Sequence, residues 1–362
     1  MQSIPVMRPK LAVGERISPY LRQIDEARIY SNFGPLARLL EARLAAKFGV
    51  PDEGVISVAN ATLGLALALS AQEPERGSLC AIPAWTFVAT PHAVTQAGLI
   101  PYFVDVDPAT WALNPEVLVK ELDRAPGKVG AVMPVAPFGQ PIDVSLWDEF
   151  RTRTGLPVVI DAAAGFDSLV PGRVPSVVSL HATKVLGVGE GGCIVSSDAA
   201  LIEDLRARSN FGFFKSREAM VSATNAKLSE YHAAIGLAAL DEWDVVRAEW
   251  LTVAEAYNAV FSGSNRVQLQ PGFGSSWVSS TCVLDIADAG ADRVESALND
   301  AQIETRRWWG RGAHDHPATR HRPRSSLAST ELLARSTIGV PFYRDLEIGT
   351  ILRIGECVHA VA

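Results

Sequence analysis

Cysteine is scarce. The chain carries 4 in 362 residues, Cys80, Cys193, Cys282 and Cys357, and none forms a C-x-x-C pair. That spacing argues against a zinc or iron–sulfur site built on clustered cysteines, and no metal site is expected. Isolated, mostly buried thiols fit a reducing compartment. Positive charge is also short: 33 lysines and arginines stand against 40 aspartates and glutamates, for a net charge of −7. A nucleic-acid binder usually leaves a basic footprint, which is missing here. The longest apolar run, near LGLALALSA (63–71), is too short to span a bilayer. The opening MQSIPVMRPK lacks the apolar core of a secretory signal. The expectation is a cytoplasmic protein with neither a membrane nor a nucleic-acid partner.

Core-forming residues are plentiful. Hydrophobic content is 48% and mean hydropathy is +0.13, values of a folded chain rather than a disordered one. The length suggests two domains. From residue 55 strands and helices alternate: VISVA, SLCAIP, LIPYFVDVD and VGAVMPVA read as strands, separated by helices such as TFVATPHAVTQAG and NPEVLVKELDRA. LPVVIDAA, VPSVVSLHA and GGCIVSSD follow as further strands. Short apolar strands between amphipathic helices predict a largely parallel sheet covered on both faces. After residue 198 the pattern turns helical, with one long helical stretch from LSEYHAAIGLAALDEWD to VRAEWLTVAEAYNAVF. Beyond it come a strand in WVSSTCVLDI, a helix in ADRVESALNDAQ, a short strand in ETRRWW and a final helix near EIGTILRIGECVHAV. HPATRHRPRSS (316–326) reads as a basic loop. The expected division is a large domain over 1–245, with a helical segment 1–50 packed on it, and a small α+β domain over 246–362.

Ligands of open α/β sheets bind beyond the carboxyl ends of the strands. Four such ends carry chemistry. At VANATLG, the N–H groups of Ala61 and Thr62 and the Thr62 hydroxyl open a helix, which makes either an anion cradle or an ordinary cap on Asn60 or Thr62. At PAWTFVAT, Trp85 or Phe87 could stack on a flat ring or simply pack. At VVIDAAAGF, Asp161 closes an apolar strand and needs a partner, whether a cap, a salt bridge or a cationic ligand atom. At SLHATKVLGVGEGG, Lys184 sits among apolar and small residues, where a free ammonium is expensive. GVGEGG matches a dinucleotide-binding pattern, but it precedes a strand instead of joining a strand to a helix. Anion cradle, stacking ring, carboxylate and lysine together are the set that pyridoxal 5'-phosphate (PLP) requires.

With these motifs in view, the chain resembles the DegT/DnrJ/EryC1/StrS family of PLP-dependent sugar aminotransferases, of the aspartate aminotransferase-like fold type I. The resemblance runs through YSNFGPLARLLEARLA, PAWTFVATPHAVTQAGLIPYFVDVD, APFGQPIDV, VVIDAAAG, SLHATKVLGVGEGG and TNAKLSEYHAAIGLAAL in order. It implies that Lys184 holds the cofactor aldehyde as an imine and then shuttles a proton. It implies that Asp161 keeps the pyridine nitrogen protonated, that Phe87 stacks on the ring, and that Ala61, Thr62 and Ser179 bind the phosphate. Asn225 would reach the cofactor phosphate of a neighbouring subunit, making a homodimer with shared active sites. The implied activity moves an amino group, with L-glutamate as donor, to a keto group of a nucleotide-linked sugar, with ping-pong kinetics. Ala164 stands where the family commonly has glutamine, and ETRRWWGRGAH, which the resemblance implies is the substrate-binding region, matches the family pattern loosely. His181 reads as a second proton carrier or a packed neighbour of the site. Arg306 and the loop carrying Arg320, Arg322 and Arg324 read as a diphosphate contact or a solvated face. The alternatives are a sugar dehydratase and a non-catalytic regulatory protein on the same fold. One dehydratase branch replaces the lysine by histidine and another carries an iron–sulfur cluster; neither matches this chain.

Overall fold

The computed structural model describes residues 3–213 and 216–362. Its centre is a sheet of seven strands: β1 (Val55–Val58), β2 (Leu79–Pro83), β3 (Ile100–Val104), β4 (Val129–Val132), β5 (Ile160–Asp161), β6 (Ser176–Ser179) and β7 (Gly192–Val195). One run is ordered β3-β2-β4 and the other β5-β6-β7-β1. They are joined by parallel bridges from Val132 to Val158 and from Val135 to Asp161. Pairing is parallel from β3 through β6, and β7 runs antiparallel to both β6 and β1. The exception has a local cause. The segment from Ser179 to Gly192 contains no helix, and a parallel return needs a crossover, usually a helix. The strands are buried on both faces, as a covered parallel sheet requires.

The helices follow the predicted punctuation. α1 (Gly14–Ala27) and α2 (Pro35–Phe48) occupy the N-terminal segment, while residues 3–13 form neither helix nor strand. The buried Glu230 accepts hydrogen bonds from the Leu36 and Ala37 N–H groups, satisfying the open first turn of α2. α3 (Ala61–Ala71), α4 (Ala89–Gln96), α5 (Pro115–Leu122), α6 (Val144–Thr154) and α7 (Ala199–Arg208) interleave with the strands. α3 lies close on the sheet: a Cβ on Gly64 would sit 3.1 Å from both Val177 and Val58.

The long helical stretch is two helices, α8 (Glu230–Asp241) and α9 (Trp243–Phe261). Glu242 leaves the helix at φ −105° and ψ 3°, and Trp243 then meets Phe166 edge-on at 4.7 Å. Beyond α9, a three-stranded antiparallel sheet forms from β8 (Val267–Leu269), β9 (Cys282–Ile286) and β10 (Thr337–Val340), with β9 central. α10 (Ala291–Asp300), α11 (Ala328–Ser336) and α12 (Ile348–His359) complete the chain.

ETRRWW is not a strand. It makes a single bridge, Arg306 to Gly339, and then turns, because Trp308 and Trp309 are drawn off to line a cavity. The basic loop is partly anchored: Pro323 O accepts from Phe103 N and Phe103 O from Ser325 N, alongside β3. No helix among the described residues is long and apolar enough to cross a membrane.

Candidate active site

A cavity of about 610 Å³ opens at the carboxyl ends of β1, β2, β5 and β6. It gathers six of the seven candidate residues: Ala61, Thr62, Phe87, Asp161, Ser179 and Lys184. Each arrives by the same device, a buried strand that stops and releases its next residues at the sheet edge.

The turn after β1 is both cap and cradle. Asn60 takes the Leu63 N–H through its side chain at 2.9 Å, closing part of the first turn of α3. The N–H groups of Ala61 and Thr62 have no acceptor among the described residues. They sit at a positive helix end, where an anion is stabilised. Space is kept there by Gly192, whose added Cβ would lie 2.9 Å from the Ala61 nitrogen. Ser179 closes β6 beside this turn, buried, and its hydroxyl accepts from His181 N at 3.2 Å.

Of the two aromatic candidates, Trp85 is only 2% exposed and packs edge-on to Phe138 and Trp309. Phe87 is 56% exposed and lines the cavity. Asp161 is buried at the end of β5. Thr90 donates to its Oδ2 at 2.8 Å and the Ala163 N–H to its Oδ1 at 3.1 Å, with Thr86 bonded to Thr90 behind. Burial pushes the Asp161 pKa up; these hydrogen bonds and the Lys184 charge oppose it. Burial pushes the Lys184 pKa down, opposed by the Asp161 charge. A carboxyl group and an amine thus share a poorly solvated cavity, and burial disfavours the charged form of each.

Asn225 lies outside the cavity and is exposed. It bridges Asn210 at the edge of the fold, and the next residue, Ala226, accepts from Ala59 N beside β1. His181 lines the cavity, with Nδ1 2.8 Å from Thr183 Oγ1 and Nε2 3.7 Å from Glu190. Ala164 lines it too. Arg306 does not: its guanidinium lies 4.9 Å over the Trp308 ring. Arg320, Arg322 and Arg324 also lie outside the cavity lining. Sequence reasoning missed Met7, Phe138 and Thr281, which line the cavity, and it placed Trp308 and Trp309 in the implied substrate-binding stretch without giving either a role; both line the cavity too. The adjacent tryptophans were the available signal, since indole rings are enriched at binding surfaces.

Comparison with known proteins agrees with this fold. A 328-residue stretch is 32% identical to Protein Rv3402c of Mycobacterium tuberculosis, covering 87% of this chain and 78% of that protein. A shorter stretch of 245 residues is 33% identical to the dTDP-4-amino-4,6-dideoxy-D-glucose transaminase of Shigella dysenteriae, covering 66% and 65% respectively. The crystal structure of DesI, solved in the presence of its TDP-sugar product, superposes with a TM-score of 0.89 at 29% identity, covering 99% of this chain and 93% of DesI. The family model of the DegT/DnrJ/EryC1/StrS aminotransferases matches residues 12–359. The chain belongs to the DegT/DnrJ/EryC1/StrS aminotransferase family.

Proposed function

We propose that this aminotransferase uses PLP to move an amino group from L-glutamate to the keto group of a nucleotide-linked sugar. The carrying observation is that Asp161, Lys184 and the open N-terminus of α3 line one cavity. Bound there, PLP would supply an aldehyde to carry the amine and a ring to take up electrons. The chain's own residues fit it. The Ala61 and Thr62 N–H groups and the Ser179 hydroxyl hold the phosphate, in space that Gly192 leaves free. Phe87 offers its exposed face to the ring. Asp161 would hold a proton on the ring nitrogen, and that cation would add to the Thr90 and Ala163 hydrogen bonds its buried carboxylate already accepts. Lys184, with its pKa lowered, would hold the aldehyde and carry a proton at Nζ.

Sugar specificity is proposed from the relatives, since the Shigella transaminase is named for a dTDP-amino sugar and DesI was solved with a TDP-sugar product. Two substrates using one cavity in turn give ping-pong kinetics. The test is a half-reaction. PLP-loaded protein mixed with L-glutamate should lose its visible absorbance and release 2-oxoglutarate, and a keto-sugar nucleotide should restore the spectrum. Unchanged absorbance with every amino acid tried would end the transaminase reading.

We also propose that the working unit is a homodimer and that Asn225 completes the partner's phosphate site. Its exposure and edge position support this. Neither Asn225→Ala nor Lys184→Ala protein should work well alone. Unfolded together and refolded, they should regain about one quarter of wild-type activity, because half the dimers then hold one intact site. No gain on mixing would place each site within one chain.

A further inference from the structure

The cavity wall near the three-stranded sheet is built differently from the rest. Trp309 stacks on Phe138 with ring centroids 3.8 Å apart and planes 16° apart. Trp85 closes on Trp309 edge-on at 5.4 Å, and Trp111 closes on Phe138 edge-on at 6.2 Å. Phe138 and Trp111 both hold left-handed backbone, at φ 55° and 60°. That region is strained for bulky residues and persists only where the surroundings enforce it. Two strained residues therefore feed the same ring cluster. Trp308, beside it, is locked by the Arg306 guanidinium over its ring and by Gly339, where any Cβ would collide with the indole nitrogen. Trp308 and Trp309 line the cavity together with Lys184. Near Asp161 the lining is small, with Ala136, Ala163 and Ala164.

We propose that Trp309, flanked by Trp308, is the side chain against which the C–H groups of the acceptor's pyranose ring pack. This rests on the reading of the acceptor as a nucleotide-linked sugar. An indole face is electron-rich and attracts C–H groups polarised by neighbouring oxygens. Phe138 and Trp85 hold the ring in place before the ligand arrives, so little ordering cost falls on binding. The sugar, and not the nucleobase, is assigned to this wall because the reacting carbon must reach Lys184 in the same cavity. The base lies further off, beyond a diphosphate and a ribose. Trp309 thus determines acceptor specificity, and its rigidity sets the height at which the keto carbon is presented.

The experiment compares dTDP with dTDP-glucose, whose sugar lacks the keto group and binds without turnover. Calorimetry on PLP-loaded wild-type, Trp309→Ala and Trp309→Phe protein reads both affinities. Wild-type protein should bind dTDP-glucose more tightly than dTDP. Trp309→Ala should weaken dTDP-glucose about ten-fold and leave dTDP within about two-fold, while Trp309→Phe keeps most of the affinity. In kinetics the loss should fall on the KM of the keto-sugar acceptor, not on the half-reaction with L-glutamate. Equal weakening of dTDP would move the base onto this wall and overturn the proposal. Unchanged dTDP-glucose binding, or equal loss in both half-reactions, would do the same. A wild-type enzyme that takes amine from glutamate but binds no sugar nucleotide, dTDP- or GDP-linked, also overturns it. One that takes amine from no amino acid defeats the underlying transaminase reading instead.

Discussion

Replacing Lys184 by methionine should abolish amino transfer, lowering the rate by about 10⁴-fold or more, and leave the fold intact. The size follows from losing two roles at once, the covalent attachment and the proton carrier, either of which contributes orders of magnitude alone. Retained stability follows from the cost of the native residue. Burial pushes the Lys184 pKa down because the cavity solvates an ammonium poorly, so an apolar chain of similar length removes that cost, and Asp161, whose raised pKa favours the protonated carboxyl, can take up a proton in place of the lost cation. Arginine is the informative contrast. It cannot shed its proton at any working pH, so Lys184→Arg should be equally inactive and melt lower than Lys184→Met. Borohydride reduction of PLP-loaded wild-type protein, followed by peptide mass mapping, should place a pyridoxyl label on Lys184 and on no peptide of either variant. A methionine variant with more than about one percent of wild-type activity, or a label mapped to another lysine, would remove Lys184 from the chemistry.

The sheet and most of the cavity are legible in the sequence for one reason. Buried parallel strands read as short apolar runs, and whatever polar residue ends such a run lies at the sheet edge. Asp161 after VVI and Ser179 after SVV are placed by that rule alone. Lys184 stands out because nothing apolar explains it. The wall from Phe138 to Trp309 is different in kind. Its two halves are far apart in the chain, and the stack depends on left-handed backbone at Phe138 and Trp111, neither of which is a residue that signals a turn. α11 passes into β10 at Ser336–Thr337 with no glycine or proline between them, so the change of period carries no punctuation. The break at Glu242 is similarly silent, because a single residue leaves the helix and the apolar spacing resumes. ETRRWW has the β-branched and aromatic content of a strand, but its two tryptophans are spent on the cavity.

Asp161→Asn should lower the rate of amino transfer by about 10²- to 10³-fold, the scale of removing one fixed electrostatic partner, and yet raise the stability of the cofactor-free protein. The reason lies in the proton balance. An aspartate in the unfolded chain titrates near 3.9, and burial raises the folded value above that. The native state therefore favours the protonated form. That contribution is complete below about pH 3.9 and is lost as pH rises through the raised folded value, leaving an ionised, buried carboxylate as a cost at neutral pH. Asparagine avoids the cost and keeps the bonding. Its oxygen accepts from Ala163 N, and its amide donates to Thr90, whose own hydrogen turns to Thr86. Lys184 loses the opposing charge but can give up its proton, as its depressed pKa favours. Thermal melts of cofactor-free protein should place the variant above wild type at pH 8, with the gap closing toward pH 4. Loading with PLP should reverse the order, since the wild-type carboxylate then gains its cationic partner and asparagine does not. A variant that melts below wild type at pH 8 without cofactor, or that gains as much as wild type from PLP, would show that Asp161 is a structural residue of β5 and not the anchor of the ring nitrogen.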